Sequence, residues 1–220
     1  MKANGIGIAY RTYGPDGAPP LILLHGLGEG MAGWDGVAGA LAVGRHVYAL
    51  DLRGHGASDW PGDYGLELMR DDVLAFLDAL SLDPVDVIGH SMGGVVAYLL
   101  AAERPGRVGT LVLEDVPLPV PRVPPPLVRP EGPLSFDWAM VEAIRPQIDE
   151  PDPSWLERLG RITARTLVIG GGPESHIPQD RIAEMARRIP GAAHVTIPAG
   201  HLVHETAPDA FVREVTAFLG

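Results

Sequence analysis

Val85-Asp86-Val87-Ile88-Gly89-His90-Ser91-Met92-Gly93-Gly94, running on into the apolar stretch from Val95 to Ala102, decides how this chain reads. A short β-branched segment enters Gly-x-Ser-x-Gly and leaves as a helix-forming run, the pattern of strand, sharp turn and helix. Ser91 is the candidate nucleophile. A serine on so tight a turn holds a strained backbone, and Gly89 and Gly93 leave room where side chains would collide. The turn lifts Oγ clear of the sheet. The helix that follows aims its unpaired N–H groups at the place where negative charge would develop.

Outward from this stretch, the length of 220 residues suits one sizeable core carrying an insertion. Hydrophobic content of 46% against 20% charged residues describes a packed protein. A formal charge of -11 disfavours nucleic acid and anionic membranes, and favours a neutral or cationic small molecule. With no cysteine, disulfides, thiol nucleophiles and Cys-based metal sites are excluded. The start, Met1-Lys2-Ala3-Asn4-Gly5, has no apolar signal core, and no stretch is apolar and long enough to span a bilayer. The expectation is a soluble, cytoplasmic protein, monomer or homodimer.

Taken in order, residues 6–13 read as a strand and 21–24 as an apolar run of a central parallel sheet. That run ends at His25-Gly26-Leu27-Gly28, a glycine-rich loop at the edge where open α/β sheets place ligands. A helix is expected around 34–42 and a strand at 47–50, which ends in Asp51-Leu52-Arg53-Gly54-His55-Gly56-Ala57-Ser58. Asp51, Arg53 and His55 are read as loop braces. Apolar residues at helical spacing predict a helix over 66–80, its Met69 and Phe76 facing the core. After the serine turn comes a strand at 108–113, ending at Glu114-Asp115.

The alternation then breaks. Prolines at 117, 119, 121, 124, 125, 126, 130 and 133 rule out helix or central strand and predict a stiff surface connection. Helices are predicted over 136–145 and, with Asp152 as N-cap and Pro153 at N1, over 153–159. Strand–helix alternation resumes to the C-terminus. The predicted fold is α/β, a doubly wound, mostly parallel sheet of about seven strands. Residues 1–115 and 161–220 form its core, and 116–160 form a short proline-rich cap.

Four motifs in combination, His25-Gly26-x-Gly28, Asp51-x-Arg53-Gly54-His55-Gly56-x-Ser58, Gly89-His90-Ser91-Met92-Gly93-Gly94, and Gly200-His201 ahead of Glu205 and Pro208, resemble the α/β-hydrolase family over nearly the whole chain. The order of nucleophile, acid and histidine matches as well. The resemblance implies His201 as general base for Ser91, and an oxyanion hole from the backbone N–H groups of Leu27 and Met92. His204, in the same loop, is read as structural, and His90 as pointing away across the turn.

The acid is left open between two residues. Glu174, in Gly171-Gly172-Pro173-Glu174-Ser175-His176, stands in the usual loop with glutamate where aspartate is commonest. Asp115, at the end of the preceding strand, is the rival, because the resemblance implies that some members of the family supply the acid from there. If the strand persists to its end, Glu114 and Asp115 face opposite sides, so at most one of them can reach His201. The expected pocket is lined by His25, Gly26, Leu27, Trp34, His90, Met92, Phe136, Trp138 and Met140. The implied activity is a serine hydrolase, carboxylesterase- or lactonase-like, cleaving a small ester, lactone or related acyl bond without cofactor or metal. Alternatives are carbon–carbon bond hydrolysis, haloperoxidase-like or perhydrolase chemistry, hydroxynitrile lyase chemistry, and a non-enzymatic binding relative.

Overall fold

Apolar residues on alternate sides of each central strand give the sheet two covered faces. The computed structural model describes residues 1–220. In chain order the strands are β1 (Lys2–Ala3), β2 (Ile6–Gly7), β3 (Tyr10–Tyr13), β4 (Pro20–Leu24), β5 (His46–Leu50), β6 (Val85–His90), β7 (Val108–Glu114), β8 (Arg165–Gly170) and β9 (Ala193–Thr196). The helices are α1 (Asp35–Leu41), α2 (Leu66–Ala79), α3 (Ser91–Glu103), α4 (Trp138–Asp149), α5 (Pro153–Arg158), α6 (Gln179–Arg188), α7 (Val203–Thr206) and α8 (Pro208–Leu219). Seven strands form the main sheet in the order β3-β5-β4-β6-β7-β8-β9, parallel except for the antiparallel edge pair β3–β5.

Ile22 and Leu24 of β4 pack with Val87 of β6 and Leu111 and Leu113 of β7 on the face covered by α2, α3, α4 and α6. Leu21 and Leu23 turn the other way, with Ile88 and Val112, under α1 and α8. Helix α3 is buried from Met92 to Ala102, so its sequence is apolar all round rather than amphipathic. Helix α2 buries Met69, Val73 and Phe76, and also Asp72, whose carboxylate takes both Nε and Nη2 of buried Arg53.

Two expectations shift. Residues 6–13 do not form one strand: Ile6–Gly7 pairs back on Lys2–Ala3 as a separate hairpin, and the sheet edge begins at Tyr10. The helix expected around 34–42 begins as a 3₁₀ turn, Met31–Trp34, before α1. Between β7 and β8, residues 117–133 carry no helix or strand, as their prolines require, and α4 and α5 follow. Asp152 caps α5 by accepting from Ser154 N–H at 2.8 Å.

Candidate active site

Because β4, β6, β7, β8 and β9 are parallel, the loops that leave them meet along one edge of the sheet. Ser91 leaves β6 at φ +50° and Asp115 leaves the neighbouring β7 at φ +47°, two non-glycine residues in the left-handed region at adjacent strand ends. Backbone strain of this kind costs about 1–3 kcal/mol per residue and is held only where the surroundings fix it. At Ser91 part of that support is close packing. A Cβ on Gly93 would collide with the carbonyl oxygens of Leu24 and His25, so α3 starts hard against the end of β4.

Asp115 is fully buried, and four donors converge on its carboxylate. His201 Nδ1 lies 2.7 Å from Oδ2, Gly171 N–H donates at 2.8 Å, Gln179 Nε2 at 3.2 Å, and the Ser175 hydroxyl donates to Oδ2. Burial pushes this carboxyl upward, but the bonds from His201, Ser175, Gly171 and Gln179 outweigh it and hold the pKa below the ordinary aspartate value. With Nδ1 donating to a carboxylate, His201 keeps Nε2 free as an acceptor.

Glu114, the last residue of β7, takes a different partner. It accepts from His204 N–H at 2.8 Å and from His204 Nδ1 at 2.9 Å, so His201 in the last loop and His204 in α7 each have their own acid. Glu174 makes no bond to His201 and is exposed, with its Cβ close to Gly200.

Ser91 and His201 line one cavity of about 690 Å³. No hydrogen bond joins their side chains in this structure. Leu27 and Glu29 also line it, as do residues of 117–125, Arg145 and Ile148 of α4, and the segment from His176 to Arg181. His176 packs edge-on to the His201 ring at 4.2 Å. Burial and the neighbouring His201 push the His176 pKa down to about 4.

Most of the expected pocket residues lie elsewhere. His25 is buried, donating to Gly26 carbonyl at 2.8 Å and accepting from Leu52 N–H at 3.0 Å. Gly26 N–H is taken by Glu29 at 2.8 Å. Trp34 turns beneath the sheet edge to stack on His204 at 4.1 Å, because the 3₁₀ turn aims it at the α8 side. Met92 is fully buried in the core. His90 is buried under the last loop, bonded to the His201 carbonyl at 2.9 Å.

Phe136 rests over Gly28 and beside His55, since residues 135–137 are tied to 54–56 through Gly56 N–H to Ser135 carbonyl and Asp137 N–H to Gly54 carbonyl. Trp138 bonds Glu142 at 2.9 Å, and Met140 packs on Gly54. None of these eight lines the cavity, whereas Leu27 does. The residues missed are Glu29, the proline wall with Arg122, Arg145 and Ile148 of α4, and the 176–181 segment. For the proline wall the signal was present in the long insertion after a central strand, a usual place for binding loops, and for 176–181 in the glycine-led loop at the end of another parallel strand. No group of three or more His, Asp or Glu side chains is arranged to hold a metal ion. No helix is long and apolar enough to cross a membrane.

A family model described as alpha/beta hydrolase fold matches residues 19–141, more than half of the chain. The sn-1-specific diacylglycerol lipase ABHD11 of Mus musculus is 27% identical over 91% of this chain and 81% of its own length. The AB hydrolase superfamily protein YfhM of Bacillus subtilis is 33% identical over 60% of this chain and 48% of its own length, so the chain spans only about half of that relative. Among solved structures, a hydrolase from Pseudomonas aeruginosa PA01 superposes with a TM-score of 0.78 at 29% identity, over 100% of this chain and 96% of that one.

Proposed function

The chain belongs to the alpha/beta hydrolase fold family, and from that premise we propose that it is a serine hydrolase cleaving a small ester, lactone or related acyl bond through an acyl-enzyme on Ser91. The observation that carries this reading is the Asp115–His201 pair at 2.7 Å, opening on the cavity that holds a backbone-strained Ser91. The relatives described as lipase and hydrolase support it.

In this scheme Ser91 Oγ attacks the acyl carbon while His201 Nε2 takes its proton. Asp115 holds the ring by Nδ1 and stabilises the imidazolium. The tetrahedral oxygen is received by the N–H groups of Leu27 and Met92. Met92, second in α3, has no partner four residues back within the helix. Collapse expels the alcohol with the proton from His201. Water, activated by the same ring, then releases the acid and restores Ser91. The Ser91–His201 hydrogen bond forms when substrate is seated, as such bonds commonly tighten only in the complex. Residues 116–160 serve as a short cap, with the proline segment as one wall. No step calls for a cofactor.

The test is labelling with a fluorophosphonate probe, joined to pre-steady-state release of a chromogenic alcohol. Covalent labelling and a burst in the wild type, both absent in Ser91→Ala, are the expected result. A wild type that takes no label and shows no turnover sinks the reading.

A further inference from the structure

The wall around Ser91 carries a charge balance opposite to that of the chain. Asp and Glu number 28 against 17 Lys and Arg overall, yet the cavity presents Arg122, Arg145 and Arg181 against Glu29 alone. Glu29 is itself paired with His90 at 3.2 Å. Arginine as a residue type carries no weight here, since Lys2 is the one lysine of the chain. Placement does.

Asp149 anchors the first two arginines side-on. It accepts from Arg122 Nε at 2.8 Å and from Arg145 Nε at 2.9 Å, and its carbonyl accepts the Arg122 N–H at 2.9 Å. Pro121 on one side of Arg122 and Pro124, Pro125 and Pro126 beyond it restrict the backbone, so this cation is fixed before any ligand arrives. One carboxylate thus serves two guanidinium groups, which leaves the unit positive. Both terminal nitrogens of Arg122 and Nη1 of Arg145 have no acceptor in the protein. Arg181, from α6, adds a third cation, and its partner Glu184 is shared with Arg188.

Resting on the hydrolase reading, we propose that the cavity selects esters or thioesters that carry an anion, a carboxylate or a phosphate, apart from the bond that is cut. Arg122 and Arg145 dock that anion and Arg181 assists. Guanidinium donors match either group, and cations gathered in a cleft concentrate the field there. Net charge governs the distant field of the molecule, whereas these three side chains govern the field that a bound substrate meets. The preference for a neutral or cationic ligand drawn from a charge of -11 therefore does not carry into the cavity.

The test compares two matched pairs of substrates. The first is the para-nitrophenyl monoester of adipic acid, with a free carboxylate, against para-nitrophenyl hexanoate. The second is S-hexanoyl pantetheine with and without its terminal phosphate. The charged member of at least one pair is expected to have the higher kcat/KM by about tenfold or more. Preference in the first pair assigns a carboxylate on the acyl side, and in the second a phosphate on the leaving group. That ratio should fall as ionic strength rises from about 0.01 M to about 1 M, where the Debye length shrinks from about 30 Å to about 3 Å.

Arg122→Gln and Arg181→Gln should each lower the ratio, and Arg213→Gln, at an exposed position of α8, should not. If Arg122→Gln fails to fold because Asp149 loses a partner, the half-exposed Arg181 still provides the measurement. A wild type that takes the fluorophosphonate label yet favours neither charged substrate overturns the anion proposal and leaves the hydrolase reading standing. A ratio unmoved by salt and by both arginine variants overturns it as well. No label and no turnover of any substrate removes both.

Discussion

His201 Nδ1 stands 2.7 Å from Asp115 Oδ2, and the carboxylate reaching it comes from the end of β7 rather than from the loop after β8 that carries Glu174. The loop after β8 and the first residue of α6 bond to that carboxylate, through Gly171 N–H, the Ser175 hydroxyl and Gln179. Asp115→Asn is therefore expected to lower kcat by about 10²–10⁴-fold, because an amide no longer fixes the proton on Nδ1. Glu174→Gln, at an exposed position without a bond to the ring, should stay within about twofold. Steady-state kinetics on one activated ester check both. A loss confined to Glu174→Gln would reverse the assignment.

The fold was legible where pattern and burial coincide. Apolar runs at 21–24, 85–88 and 108–113 are strands because both sheet faces are covered, and the glycines around Ser91 stand where neighbouring backbone leaves no room for a Cβ. The expectation that Glu114 and Asp115 reach different partners assumes that the strand persists; it stops at Glu114 and Asp115 turns off at φ +47°, and the two still meet different histidines. The cavity lining was not legible, because it depends on pairings distant in sequence. Nothing near Phe136 announces that residues 135–137 bond to 54–56, and that pairing sets the ring over Gly28. A proline run says what residues 117–125 cannot form; it is silent on which side of Ser91 they pass. The direction of Trp34 was hidden for a related reason, since its aim depends on a 3₁₀ turn rather than a continuous helix.

Glycine substitutions separate the two kinds of position. Gly93→Ala forces a Cβ into the carbonyls of Leu24 and His25, both backbone and neither able to swing aside. The expected result is destabilisation of more than about 3 kcal/mol, or failure to fold. Gly36 and Gly39, on exposed faces of α1, have nothing within 4 Å of the point where a Cβ would stand. Ala at either should stabilise by about 0.5–1 kcal/mol through lower unfolded-state entropy. Urea denaturation midpoints of the three variants give the comparison, with kcat/KM of the two α1 variants expected to match wild type.

The loop bearing His201 is tied down by a histidine that the reaction scheme leaves unused. His90 Nε2 meets the His201 carbonyl at 2.9 Å and Nδ1 meets Glu29 at 3.2 Å, so both ring nitrogens face acceptors and both must carry protons. Burial pushes the ring towards neutrality, but the charges of Glu114 and Glu29 and the bond to Glu29 outweigh it and raise the pKa to about 9. Glu29 shows the counterpart: burial would raise it, and the bond and charge of His90 bring it down to about 2.

A raised folded-state pKa gives stability that is complete below the ordinary histidine value of 6.5 and is lost as pH climbs through about 9. A depressed carboxyl gives stability present above the ordinary value of 4.5 and lost as pH falls through about 2. The stability difference between wild type and His90→Gln should therefore shrink steadily from pH 6.5 to about 9, while that between wild type and Glu29→Gln shrinks below pH 4.5. Denaturant unfolding across that range reads the slopes directly. A His90→Gln difference that stays flat through the alkaline limb would mean the ring is neutral in the folded protein, and that one of its two bonds lacks a proton.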